Sequence, residues 1–142
     1  MTTNPQPSPP GYTWSEILKR PTLEAFAAAF SENIVIDTSI ATGSIVGPVD
    51  LRNFFDASRT MYDALNFTHE TSAGSRTCLE WEGKFQGKDI AGTTILACDA
   101  NGVIESIQLY HRPYEQVIAY SAELGRRLKG KIDRSILPGI AR

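Results

Sequence analysis

His69 and His111 are the two histidines of the chain. A neutral imidazole, with an ordinary pKa near ~6.5, is the side chain best matched to proton transfer at neutral pH. Tyr62 is a natural hydrogen-bond donor beside them, and Thr94 can orient a bound molecule. Asp37 closes a β-branched run, and Glu80 and Glu82 stand two apart on one strand. Paired carboxylates divide into acid and base when their environments separate their pKa values. Lys84 continues that face, so a solvated strand surface is the plainer reading of the glutamates. Two histidines without a third ligand do not make a zinc site, and no metal is expected. No glycine-rich phosphate loop is present, so no cofactor is expected either.

The 142 residues fit one domain, with 42% hydrophobic and 21% charged residues. Fourteen Lys and Arg against sixteen Asp and Glu leave a net charge of −2. That balance gives a nucleic-acid partner no electrostatic footprint. No apolar run approaches the ~20 residues of a membrane helix, so no membrane partner is expected. Residues 1–12, MTTNPQPSPPGY, have neither the basic nor the apolar segment of a secretory signal and read as a disordered lead-in. Cys78 and Cys98 do not make a disulfide framework; a cytoplasmic protein is the expectation.

Periodicity supplies the elements that must hold these groups. Thr13 and Glu16 have capping-box spacing for a short helix that Pro21 ends. Leu23, Phe26, Ala27 and Phe30 then mark one apolar face of a second helix. Asn33–Asp37 is extended, with Ser44–Val46 as its hairpin partner. Pro48 opens a third helix, on which Leu51, Phe54, Phe55, Ser58, Met61, Tyr62 and Leu65 keep the 3.6 period. From Asn66 the period becomes two. Runs over about 67–71, 77–85, 89–99 and 103–111 form a four-stranded antiparallel meander. Tyr114, Val117, Ile118, Leu124 and Leu128 mark a closing helix.

The layout is α+β. The FSENIVID junction at Phe30–Asp37, the strong third helix and the closing hairpin DANGVIESIQLYHRP resemble the nuclear-transport-factor-2-like superfamily, in particular its SnoaL-like branch. The resemblance runs from about Trp14 to Tyr114. It implies a cystatin-like cone over residues 13–113, a curved antiparallel sheet wrapped around N-terminal helices, with residues 114–142 as an extra C-terminal helix and tail. It also implies an apolar pocket at the open end, and a homodimer through the outer sheet face. Relatives include ketosteroid isomerases, epoxide hydrolases, cyclases, dehydratases and proteins without enzyme activity. The isomerase base position falls on Thr38, next to Asp37. Its second, protonated aspartate matches Thr94, and the hydrolase's last-strand aspartate matches Leu109. Those departures argue against inheriting either mechanism.

Strand register decides which side chains face the pocket. A two-residue turn at Gln86-Gly87 sets Leu79 opposite Thr94 and Trp81 opposite Gly92. A two-residue turn at Ala100-Asn101 sets Ile107 beside Thr94 and Leu109 beside Gly92. A three-residue loop at Ala73–Ser75 places Phe67 and His69 opposite Trp81 and Leu79. The inner face then carries both histidines with Phe67, Trp81, Thr94, Leu96 and Leu109. Phe54 and Tyr62 join them from the third helix. Cys98 falls inside and Cys78 outside, beyond disulfide reach.

The C-terminal stretch holds six cations against three acids. Most fall in the last turns of the closing helix, where they complement its dipole. Ile132, Ile136 and Leu137 suggest packing on a neighbouring subunit. Two functions remain open. One is an acid/base isomerase, dehydratase or cyclase acting on a small, mostly apolar molecule through His111, His69 and Tyr62, with Asp37, Phe54, Trp81, Thr94, Leu96 and Leu109 around the substrate. The other is a non-catalytic ligand-binding or dimerisation module.

Overall fold

The computed structural model describes residues 30–132, so the helices expected near Thr13 and Thr22 lie outside the described residues. Phe30, expected to end the second of them, instead begins a strand. Strands β1 (Phe30–Thr38) and β2 (Ile45–Val46) are followed by helix α1 (Pro48–Ser58). Strands β3 (Ala64–Ala73), β4 (Arg76–Phe85), β5 (Lys88–Cys98) and β6 (Ile104–Arg112) lead to helix α2 (Tyr114–Arg127).

One six-stranded sheet has the order β2-β1-β6-β5-β4-β3. The hairpin and the four-stranded meander form as their alternation dictates. The sheet is mixed rather than wholly antiparallel, because β1 runs parallel to β6, with Ile36 opposite Ile107 and Thr38 opposite Leu109. That pairing joins the first and last strands of the domain, and no local turn announces it. The buried face carries Ile34, Ile36, Leu79, Trp81, Ile90, Leu96, Ile107 and Leu109, against which α1 sets Leu51, Phe54 and Phe55.

Three local expectations change. First, α1 ends at Ser58 rather than continuing to Leu65. Arg59 caps it, the Met61 amide bonds to the Ser58 carbonyl, and the Asp63 amide turns to the Lys84 carbonyl. The apolar period continues past the helix because the following turn packs on the same core. Second, the buried stripe of α2 is Gln116, Tyr120, Leu124 and Leu128, while Tyr114 and Ile118 stand exposed. Gln116 goes inward because its amide donates to the Phe85 and Lys88 carbonyls at 3.0 and 3.3 Å. Third, Ile132 is buried against its own cone, not held out for a neighbour. Ile136 and Leu137 lie outside the described residues.

The β4–β5 turn matches its expectation. Gln86 and Gly87 take φ of 52° and 78°, the left-handed pair a two-residue hairpin needs. The β5–β6 connection is longer than expected. The Asp99 carboxylate accepts the Asn101 and Val103 amides, so five residues, Asp99–Val103, make the turn. Pairing shifts by two residues: His111 faces Gly92 and Leu109 faces Thr94. A shift of two leaves every side chain on its face.

Candidate active site

The shift in β3 is different in kind. Phe67 pairs with Trp81 as expected, but His69 pairs with Glu80, with a bulge between them. One extra residue reverses the alternation. His69 is therefore turned to solvent, its side chain 74% exposed, with its Nδ1 3.5 Å from Glu80 and 3.2 Å from the Thr68 hydroxyl. It does not reach the inner face, so it is removed from the site.

His111 is on the inner face, 6% exposed, among the rings of Tyr62, Trp81 and Tyr120. Its Nε2 lies 2.9 Å from the Tyr62 hydroxyl. Tyr62 comes from the turn after α1 rather than from the helix. The Tyr120 hydroxyl donates to the Ser58 carbonyl at 3.3 Å. The tautomer of the imidazole decides which of Tyr62 and His111 donates in the bond between them. Nδ1 is buried and has no partner. Burial pushes the His111 pKa down to about 3 and holds both tyrosines well above the usual phenol range. The imidazole is neutral, enclosed and engaged.

Trp81 lies edge-on to both Tyr62 and His111, and its indole N–H donates to the Thr94 hydroxyl at 3.1 Å. Gly92 makes this possible. A Cβ there would fall 2.3 Å from the Trp81 ring and 2.3 Å from the Tyr110 carbonyl. The bare backbone of β5 is the floor on which the indole rests.

In front of this cluster is an apolar cleft. Phe55, Ser58, Trp81, Thr94 and Leu109 line it as buried residues, Tyr62, Leu65 and Phe67 as half-buried ones, and Arg59 is exposed at its rim. The cleft as a whole holds about 30 Å³ of free space, enough for one methyl- or water-sized group. Among the described residues the rings of Phe55, Tyr62, Phe67 and Trp81 leave only a narrow recess.

The expected site divides accordingly. Tyr62, Trp81, Thr94 and Leu109 line the cleft, with His111 behind Tyr62. Phe54 and Leu96 are fully enclosed core residues, and Phe55 takes the cleft position instead of Phe54. Asp37 is on the outer face of β1, where it accepts the Ser44 hydroxyl at 2.5 Å, because the inner places on that strand belong to Ile36 and Thr38. Glu80 and Glu82 are exposed on the outer face. Among the described residues no carboxylate lines the cleft, and no cluster of metal ligands is present.

Arg59, Tyr120 and Gly92 were missed as site residues. Tyr120 had a readable signal, the i, i+4 series Tyr120, Leu124, Leu128. Gly92 had a weaker one, a glycine in the middle of a strand. Arg59 had none, since a charged residue at a helix end is usually solvated.

No family model and no curated relative matches the sequence itself. Solved structures match its shape. A protein with a cystatin-like fold from Silicibacter pomeroyi superposes with a TM-score of 0.79 at 15% identity, over 87% of both chains. A steroid delta-isomerase from Pseudomonas aeruginosa gives 0.77 at 18% identity, over 90% of this chain and 97% of that one. A nuclear-transport-factor-2-like protein of unknown function from Cytophaga hutchinsonii gives 0.64 at 18%, over 82% and 98%. The chain has the cystatin-like α+β cone that SnoaL-like and nuclear-transport-factor-2-like proteins share. At these identities the likeness establishes the fold; function has to come from the site.

Proposed function

We propose that the protein is a non-catalytic binder of a small, mostly apolar molecule, held in the cleft between the end of α1 and strands β3–β6. The observation that carries this reading is the internal pairing of the polar groups. Trp81 bonds Thr94 and Tyr62 bonds His111, so among the described residues the cleft offers apolar walls and no free proton acceptor. A thermal-shift screen of short-chain ketones and alcohols tests it. A ligand at 100 times its dissociation constant stabilises the fold by about 2.7 kcal/mol. No shift with any of them overturns the reading.

The isomerase reading keeps one supporting observation, the Tyr62 phenol in the cleft lining, its pKa raised by burial. It lacks a base. Turnover of a small ketone, reduced ~10²–10⁴-fold in His111→Gln, would restore it. We also propose a homodimer through the outer sheet face, where Cys78, Thr93 and Ile95 are half-buried beside exposed Tyr110. Light scattering of the wild type and Ile95→Glu tests that.

A further inference from the structure

An apolar ligand leaves one lining residue of the cleft unexplained. Arg59 is the exposed residue of the cleft lining, its backbone fixed by the bond from its amide to the Phe55 carbonyl at 3.0 Å. Its side chain is 38% exposed, and its Nε lies 3.8 Å from the Asp56 carboxylate, too far for a hydrogen bond. The neighbouring guanidinium groups are used differently. Arg126 and Arg127 both donate to Glu123, and Arg127 also donates to the Thr60 hydroxyl at 2.8 Å, tying α2 to the turn after α1. Arg59 has no such bond, and the apolar walls begin beside it with Phe55, Leu65 and Phe67.

We infer that the ligand is a short-chain carboxylate, its alkyl tail in the cleft and its carboxylate on the Arg59 guanidinium. This rests on the binding function proposed above and adds the ligand's chemical class. The planar fork of a guanidinium matches a carboxylate in a two-bond arrangement. The cleft selects the tail: its free space of about 30 Å³ admits the end of an unbranched chain and excludes a ring while Trp81 stays on Thr94. Two features oppose the anion. The last carbonyls of α1 and the Asp56 carboxylate both place negative charge near the head group. Affinity is therefore modest, and removing Asp56 strengthens it.

The test is calorimetric titration of the full chain with butanoate, hexanoate and octanoate, each against the alcohol of the same length. Wild type binds the acid roughly three- to tenfold more tightly than the alcohol, the range of a partly exposed charge-assisted bond. Arg59→Gln removes that preference, Arg59→Lys keeps part of it, and Asp56→Asn enlarges it. Equal affinity for acid and alcohol in the wild type overturns the carboxylate while leaving the binding reading intact. An equal loss for both in Arg59→Gln also overturns it, since the arginine would then act by packing. Failure of both series to bind overturns the binding reading as well.

Discussion

The strand carrying His69 and the strand carrying His111 show the same alternation in the sequence, yet their histidines end in opposite environments. β6 is interior, paired on both sides, and every inward residue from Ile104 to His111 meets the core. β3 is the outermost strand of its side, and a bulge beside Thr68 turns His69 outward. An interior strand cannot slip without exposing its apolar set. An edge strand absorbs an extra residue at little cost, and bulges accumulate there. Candidate catalytic residues on edge strands are thus the ones whose facing a pattern fixes least. The interior strand has its own consequence: His111 is enclosed so fully that its imidazole supports the ring cluster and has no open path to a ligand.

The largest test of this contrast is the pH dependence of stability. The His111 pKa is about 3 in the folded protein, below the ~6.5 of an unfolded chain. Between these values the unfolded chain holds a proton that the folded protein does not. The contribution is complete above pH ~6.5 and is lost as pH falls toward 3, at up to about 1.4 kcal/mol per pH unit. Urea unfolding of the wild type, His111→Gln and His69→Gln across that window checks it. The wild type and His69→Gln should share a steep slope, and His111→Gln should be flatter. Equal slopes in all three would mean that His111 is open to solvent.

Next in size is Gly92→Ala. The new methyl would meet the Trp81 ring and the rigid Tyr110 carbonyl, both 2.3 Å from its position. Overpacking of this kind costs about 1–3 kcal/mol. Tryptophan fluorescence and urea midpoints should change together, because the indole must leave its place. Thr94→Val is milder, leaving the Trp81 N–H without its acceptor at a cost of about 1–2 kcal/mol. Because the indole is part of the cleft wall, this variant should also admit bulkier ligands, as titration with ring-bearing acids would detect.

What the sequence made legible follows the same division. Interior strands, hairpin turns and the inward sides of Trp81, Thr94 and Leu109 follow from alternation and from Gln86-Gly87. A two-residue misjudgement of the Asp99–Val103 turn did no harm, because period two is blind to it. The bulge at Thr68 was invisible, since nothing in Phe67–Thr71 marks the extra residue. The end of α1 was hidden for another reason: Met61, Tyr62 and Leu65 pack on the core from a turn and strand, keeping a helical period without a helix. The parallel β1–β6 pair depends on contacts some seventy residues apart, such as Ile36 with Ile107, which no local pattern encodes.

The smallest expected effect belongs to the pair at the bulge. His69 and Glu80 face each other at 3.5 Å with side chains 74% and 58% exposed. Exposed ion pairs hold two mobile chains in one geometry for little return, and such substitutions usually stay within about 0.5 kcal/mol. His69→Gln and Glu80→Gln should each leave the urea midpoint near that of the wild type, and carboxylate titration should be unaltered. A loss above about 1 kcal/mol, or a change in ligand affinity, would show that β3 is covered in solution. The bulge would then be shaping an interface instead of only turning an edge strand outward. A protein-concentration series of the same unfolding curves separates the cases, because an interface between copies makes the midpoint rise with concentration and an isolated surface pair does not.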